Sequence, residues 1–208
     1  GWSSVASLPR VLSLAADHSL RIEPAPELEV LRHNPRHREN VTLRAGQELM
    51  LEGVRGDCLE ISAVFEPGDA AEFGIKVRCS PDGAEQTAIT CAPAAQALKT
   101  ELSKSTLDPS IRYACMNVDW AKERDIPEDR RFATEQVAPF SLKPGELLRL
   151  RVFVDRSVVE VYANERQCIT QRIYPTRPDS VGVALFARGG TAKLSSLDAW
   201  DMSPVNSW

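Results

Sequence analysis

The sequence predicts an all-β protein: a two-sheet antiparallel β-sandwich preceded by an N-terminal linker segment. Three observations carry that expectation. Apolar and polar residues alternate with period two over most of the chain from Leu49 onward. The breaks between alternating runs are Pro and Gly turns such as "EPGDAA" and "SPDG". No stretch sustains the 3.6-residue period of an amphipathic helix, and about ten to twelve strands can be counted, enough for two packed sheets.

Residues 1 to 45 read as a short strand in "SLPRVLSL", an extended connector in "IEPAPELEVLR", and a further strand or short helix. Pro24 and Pro26 hold the connector extended and discourage helix. In "CLEISAVF", Leu59, Ile61, Ala63 and Phe65 share one face, with Glu60 and Ser62 on the other. "EFGIKVRC" repeats the scheme, with Phe73, Ile75, Val77 and Cys79 inward and Lys76 and Arg78 outward. "TAITCA" and "ALKTELSK" are weaker strands of the same kind. Alternation of this sort describes antiparallel sheets with one wet face. Ser110 to Pro139 breaks the rhythm: it is polar, carries Trp120, and reads as a long excursion with one helical turn near "DWAKER". The strong strands then return. Leu148, Leu150, Val152 and Val154 form one face of a central strand, continued after a break at Asp155–Ser157 by Val159, Val161 and Ala163. "ITQRIYP", "SVGVALFARGG" and "AKLSSLDAWDM" complete the set, with Phe186 and Trp200 expected in the core.

Composition narrows the function classes. The 208 residues are 43% hydrophobic and 26% charged with net charge −4. No basic run stands out, so neither nucleic acid nor an anionic membrane is an expected partner. No apolar run approaches the roughly 20 residues that span a bilayer. The opening "GWSSVASLPR" shows no signal peptide and reads as the middle of a longer chain. Five dispersed cysteines without CxxC spacing are expected as buried thiols, with Cys79 and Cys91 as the pair that could be cross-strand neighbours. The three histidines lie in the N-terminal segment without metal-ligand spacing, so no metal and no cofactor is expected.

Catalytic signatures are missing. GxSxG, Walker A, GxGxxG and HExxH are all absent. The most pronounced pattern is "LRLRVFVDRSVVEVYANERQ", a hairpin that folds Asp155, Arg156 and Glu160 into its alternation. Asp155 and Glu160 flank a turn, and any sandwich surface offers such carboxylate pairs. Short polar side chains at Asp155 and Ser157 can bond backbone amides across the turn. Glu160 can pair with a neighbouring arginine such as Arg151 or Arg172.

Together, "GWSSVASLPRVLSL", "LRVFVDRSVVEVYANERQCITQRIYPTR" and "VGVALFARGGTAKLSSLDAW" resemble the C-terminal β-sandwich of glycoside hydrolase family 32, the β-fructosidases. The likeness covers about the first 30 and the last 65 residues, in matching order and spacing; the middle agrees in strand character. Asn164-Glu165 stands where that family often shows Asn-Gly, and the 110–139 excursion is longer than expected. The resemblance implies a sandwich of the concanavalin- or galectin-like kind and a division into residues 1–30, the end of a propeller plus linker, and residues 31–208, the sandwich. It also implies a five-bladed catalytic propeller as partner and sucrose or fructan as the parent's substrate. The family's catalytic motifs are an Asn-Asp-Pro, an Arg-Asp-Pro and a Glu before Cys. Here "RDIP" (Arg124–Pro127), "LDP" (Leu107–Pro109) and "GDC" (Gly56–Cys58) are near misses, so no catalytic residue is expected in this chain.

A non-catalytic module that supports the propeller is the first functional expectation. The second is an independent fructan-binding module, similar to the carbohydrate-binding modules of family 66. Its site would combine aromatic faces with charged groups for hydroxyls, drawn from Trp120, Tyr113, Tyr162, Asp155, Arg156 and Glu160. The excursion is expected to pack on another copy, forming a homo-oligomer, or on the propeller, with Trp120 as anchor. A propeller remnant should expose Trp2, Val5, Leu8, Val11 and Leu12.

Overall fold

The structure is a computed structural model that describes residues 5–204. Its strands are β1 (Arg10–Leu14), β2 (Leu20–Pro24), β3 (Arg32–Leu43), β4 (Glu48–Arg55), β5 (Cys58–Glu66), β6 (Glu72–Cys79), β7 (Thr87–Ala92) and β8 (Ala97–Glu101). Then come β9 (Tyr113–Ala114), the short helix α1 (Val118–Lys122), β10 (Phe132–Ala133) and β11 (Glu135–Pro139). The chain closes with β12 (Leu148–Asp155), β13 (Val158–Ala163), β14 (Gln167–Arg172), β15 (Gly182–Arg188) and β16 (Ala192–Met202). Two antiparallel sheets face each other. The first has the order β11-β8-β7-β6-β15-β4 and the second β14-β13-β12-β5-β16-β3. Two small hairpins, β1-β2 and β9-β10, stand outside them.

The core lies between the sheets and is built by the alternation. Ile61, Ala63 and Phe65 of β5 meet Leu150, Val152 and Val154 of β12 and Val159 and Val161 of β13. Phe73, Ile75, Ile89, Leu98 and Leu185 of the first sheet oppose them. Most are wholly buried, and each such side chain stabilises the fold by about 1.5–3 kcal/mol. β12 sits third of six strands, so Val152 and Val154 are buried on both flanks, as their period predicts. Gly74 marks a close approach of two strands: a Cβ there would stand 2.0 Å from the Ile89 carbonyl oxygen.

Several expectations need correction. Glu60, Lys76 and Arg78 do face outward, yet all three are buried. The outer faces are therefore not simply wet; neighbouring side chains or chain segments cover them. Pro26 does not prevent helix, because it opens a 3-10 helix (Pro26–Leu31), where its missing N–H costs nothing. The excursion does contain the expected helical turn, α1, with Asn117 Oδ1 capping the Trp120 amide at 2.9 Å. Its last five residues, however, form β11, an edge strand paired to β8. Trp200 lies on the outer face, half-buried under the Arg32 guanidinium 4.3 Å from its ring centre, while Phe186 is buried as expected. Cys79 and Cys91 are not opposite each other, since Cys91 pairs with Phe73. Burial pushes both thiols up to about 12. All five cysteines are free; Cys115 is exposed rather than buried, and Cys58 and Cys168 are only partly buried.

Candidate functional site

The site grows from a row of residues crossing the outer face of the second sheet. Trp200, Glu60, Phe153, Glu160 and Thr170 are register partners on β16, β5, β12, β13 and β14. The adjacent row runs Asp198, Ser62, Arg151, Tyr162 and Cys168. Three carboxylates and three aromatic rings thus lie on these two rows, and Glu60, Glu160, Phe153 and Tyr162 form their central patch. Water is kept from it by the N-terminal segment. Leu28 of the 3-10 helix packs on Phe153 and Tyr162, with Leu8, Ile22, Leu31 and Met202 around them. The two rings meet edge to face at 6.0 Å, a favoured aromatic geometry.

Glu160 is where the N-terminal segment is fastened. Its Oε1 accepts the Leu8 backbone N–H at 2.5 Å, and its Oε2 accepts the Arg10 guanidinium at 2.9 Å. The Tyr162 and Thr170 hydroxyls add bonds at 3.3 and 3.2 Å. Arg10 also donates to the Tyr162 hydroxyl at 3.2 Å and lies over its ring. Burial opposes the Arg10 charge, but the Glu160 and Tyr162 bonds outweigh it and raise the guanidinium's pKa. For Tyr162, burial and the neighbouring Glu160 charge push the phenol up. Glu60 is fastened in the same way. Arg32 reaches it with two bonds, 2.8 and 2.6 Å, and Arg151 with two more, 3.0 and 2.6 Å, all charge-assisted. The pairing expected for Glu160 is thus corrected: its partner is Arg10, and Arg151 serves Glu60.

A second fastening lies at the β13–β14 turn. Asn164 and Glu165 both have positive φ, 46° and 58°, as a type I′ turn demands, although Glu stands where Gly is the easy choice. The strained residue has a task here. The Glu165 carbonyl accepts the Ile22 N–H at 2.6 Å, and its carboxylate pairs with Arg21, tying β2 to the sandwich.

The pattern of matches now identifies the fold family. Residues 27–201 match the family described as "Glycosyl hydrolases family 32 C terminal". The chain belongs to that family. It is 34% identical over 211 residues to the levanase of Bacillus subtilis (strain 168), covering 98% of this chain and 28% of that protein. It is 30% identical over 223 residues to beta-fructofuranosidase 1 of Zea mays, covering 98% and 33%. Among solved structures, fructan 1-exohydrolase IIa from Cichorium intybus superposes with TM-score 0.73 at 21% identity, over 95% of this chain and 41% of that one. Exo-inulinase from Aspergillus awamori gives 0.71 at 21%, over 95% and 35%. The chain spans a third or less of the length of those two curated relatives.

Within this family 32 sandwich, the six residues expected to bind sugar do not form one site, although Asp155 and Glu160 both line a small hollow beside Leu8 and Phe153. Glu160 and Tyr162 are buried beneath the N-terminal segment. Asp155 and Arg156 are exposed at the β12–β13 turn, beside a hollow lined by Leu8, Leu28, Leu31 and Phe153. The expected amide bonds to Asp155 and Ser157 side chains do not close that turn. Asp155 instead accepts the Cys58 thiol at 3.8 Å, while the Arg156 N–H bonds the Asp57 carbonyl at 2.6 Å. Trp120 is 45% exposed on α1 with Arg124 over its ring at 4.4 Å. Tyr113 lines a separate cleft with Tyr174.

Sequence reading missed Arg10, Arg32, Glu60 and Tyr174. A signal for the first three was present: Phe153 and Tyr162 fall on the polar side of their strands, which makes sense only if that side is covered. Among the described residues, no group of three or more His, Cys, Asp or Glu could hold a metal ion.

Proposed function

We propose that this chain is the non-catalytic C-terminal β-sandwich of a β-fructosidase-type glycoside hydrolase acting on sucrose or fructans. Residues 1–30 are the closing strand of the parent's catalytic propeller and the linker leaving it, and the sandwich braces that propeller. The observation that carries this reading is the fastening of Leu8 and Arg10 to buried Glu160. A linker held in this way transmits a fixed orientation from one module to the next. Held there, the segment leaves apolar side chains on both faces of its hairpin open: Val5, Val11, Leu12, Leu14 and Leu20 are 41–67% exposed. Apolar exposure concentrated in one segment marks a contact surface, and the propeller is the occupant the linker leads to. Leu8, also expected on that surface, is instead half-buried against Leu28, Phe153 and Tyr162, and Trp2 lies outside the described residues.

Retaining glycoside hydrolysis requires two carboxyl groups free to act on substrate. Glu60 and Glu160 are enclosed and already bonded to guanidinium and backbone donors, so they are anchors and not a catalytic pair. The catalytic pair therefore belongs to the propeller. Self-association of the parent through the excursion, with exposed Trp120 as anchor, is part of the same reading.

The purified chain should release no fructose from sucrose, inulin or levan. The parent's propeller, expressed separately, should bind it, and Leu12→Asp with Leu14→Asp should abolish that binding. Turnover that survives further purification and disappears with Asp155→Asn would overturn the proposal, as would a propeller indifferent to the double substitution.

A further inference from the structure

A cleft of about 660 Å³ opens at the edge of the sandwich, where β11 of the first sheet runs beside β14 of the second. The excursion builds one wall of it with Arg112, Tyr113, Ala114 and Cys115. Tyr113 is fixed: its hydroxyl lies 2.5 Å from Ser105 Oγ, and its ring stacks on Tyr174 at 5.8 Å and 29°. Tyr174 keeps 36% of its surface exposed. Glu135 and Gln136 line the same cleft, and their side chains have no partner among the described residues. Gln171 donates one amide hydrogen to the Arg172 carbonyl at 2.8 Å, which leaves its own carbonyl oxygen available.

We propose that this cleft is a binding subsite for a neutral oligosaccharide, with Tyr113 and Tyr174 as stacking platform and Glu135, Gln136 and Gln171 as hydroxyl partners. Its size lies within the range of small-molecule sites, roughly 300–1,000 Å³. The charge state selects the ligand class. Arg112 is taken up by Glu128 and lies over Phe132 at 3.8 Å, while Arg172 lies over Tyr174 at 5.1 Å. With both cations engaged, little in the cleft attracts an anion. What remains open is a carboxylate, two amides and aromatic carbon, which suit the hydroxyls and C–H faces of a sugar. This also gives the excursion a purpose, since a short connection could not have placed Tyr113 against Tyr174. The subsite stands apart from propeller bracing: its proposed sugar partners fasten nothing in the linker, and Thr170 alone, in the cleft wall, also bonds Glu160.

Isothermal titration of the chain with sucrose, an inulin-type and a levan-type fructo-oligosaccharide, and maltotriose tests it. At least one oligosaccharide should bind saturably with Kd of roughly millimolar order. Tyr174→Ala should weaken that binding about five- to tenfold, the worth of one aromatic contact, and Tyr174→Phe should restore it. Trp120→Ala and Glu160→Gln should bind as the parent does. Should Tyr174→Ala fail to fold, the exposed double variant Glu135→Ala/Gln136→Ala decides, with weakened binding expected. The proposal is overturned if none of the sugars binds, or if a folded cleft variant binds as tightly as the parent.

Discussion

On the outer face of the first sheet the paired carboxylates stay partly open to water, whereas at the centre of the second sheet's outer face Glu60 and Glu160 lie under a covering of chain. On the first, Lys76 pairs with Glu48 and bonds Gln86 at 3.2 Å. Arg188 bridges Glu72 and Glu101 at 3.0 and 3.2 Å, and Lys99 joins Glu72 at 3.3 Å. The carboxylates there keep 26–43% of their side-chain exposure. On the second, Glu60 and Glu160 keep 0% and 3%. Solvent-exposed pairs contribute little because water competes for both partners, typically about 0–1 kcal/mol. Enclosed carboxylates behave differently: removing one strands the cations gathered around it. Similar alternation in sequence therefore gives a solvated face on one side and a docking face on the other, and what separates them is the N-terminal segment.

Glu60→Ala should produce the largest effect. Two guanidiniums, Arg32 and Arg151, lose a common partner at a wholly buried position. A cost of about 3 kcal/mol is expected, at the lower end for a broken buried pair because both arginines retain some exposure. A urea midpoint unchanged by this substitution would erase the contrast between the faces.

Glu160→Gln comes next. It keeps the volume and one carbonyl acceptor but loses the charge that holds Arg10. About 1–2 kcal/mol should be lost, the worth of a charge-assisted bond. The more telling measurement is limited trypsin digestion. Cleavage at Arg10 and Arg21 should accelerate while the sandwich stays intact. Unaltered digestion would mean that the linker is held by Leu28 and its neighbours alone.

Lys76→Met tests the open face. Lys76 is itself buried, but its partner Glu48 is 43% exposed and can turn to water when left alone. The methionine keeps an unbranched apolar stem and loses only the ammonium, 5.6 Å from the Phe186 ring centre, so the change should stay within about 1 kcal/mol. A loss as large as that for Glu60→Ala would show that the two faces are energetically alike.

The residues that made the strands legible are those facing the core. Leu148, Leu150, Val152 and Val154, or Phe73, Ile75 and Val77, announce themselves by period because one face meets apolar neighbours. β11 was invisible because it is an edge strand: Glu135, Gln136, Val137 and Pro139 are all exposed, so burial imposes no period on them. The Glu160 anchor was half legible. Its motif was recognised together with "SLPR", but nothing local joins Arg10 to a carboxylate 150 residues away. Pairings of that length are fixed by which chain segment covers which face, and alternation does not encode cover.

The smallest effect concerns the second fastening, and it is one of pH. Glu146 holds the β13–β14 turn in place. Its carboxylate takes Arg166 through both oxygens at 2.6 and 2.8 Å, the Lys143 N–H at 2.8 Å, and the Asn164 amide at 2.8 Å. The Arg166 bonds, assisted by the Lys143 amide and Asn164 and opposed by burial, hold its pKa down to about 2. A carboxyl group depressed on folding contributes stability that is fully present above its unfolded pKa. That contribution drains away as pH falls from the ordinary glutamate range toward about 2. Asn164 connects this carboxylate to the turn whose Glu165 carbonyl receives Ile22, so protonation should loosen β2 along with the turn. Amide exchange at Ile22, followed by NMR between neutral pH and pH near the folded pKa, should therefore accelerate beyond its intrinsic pH dependence. Glu146→Gln should already show the faster exchange at neutral pH and little added response to acid. Equal pH dependence in parent and variant would place the control of β2 elsewhere, with Arg21 and Glu165 the next pair to alter.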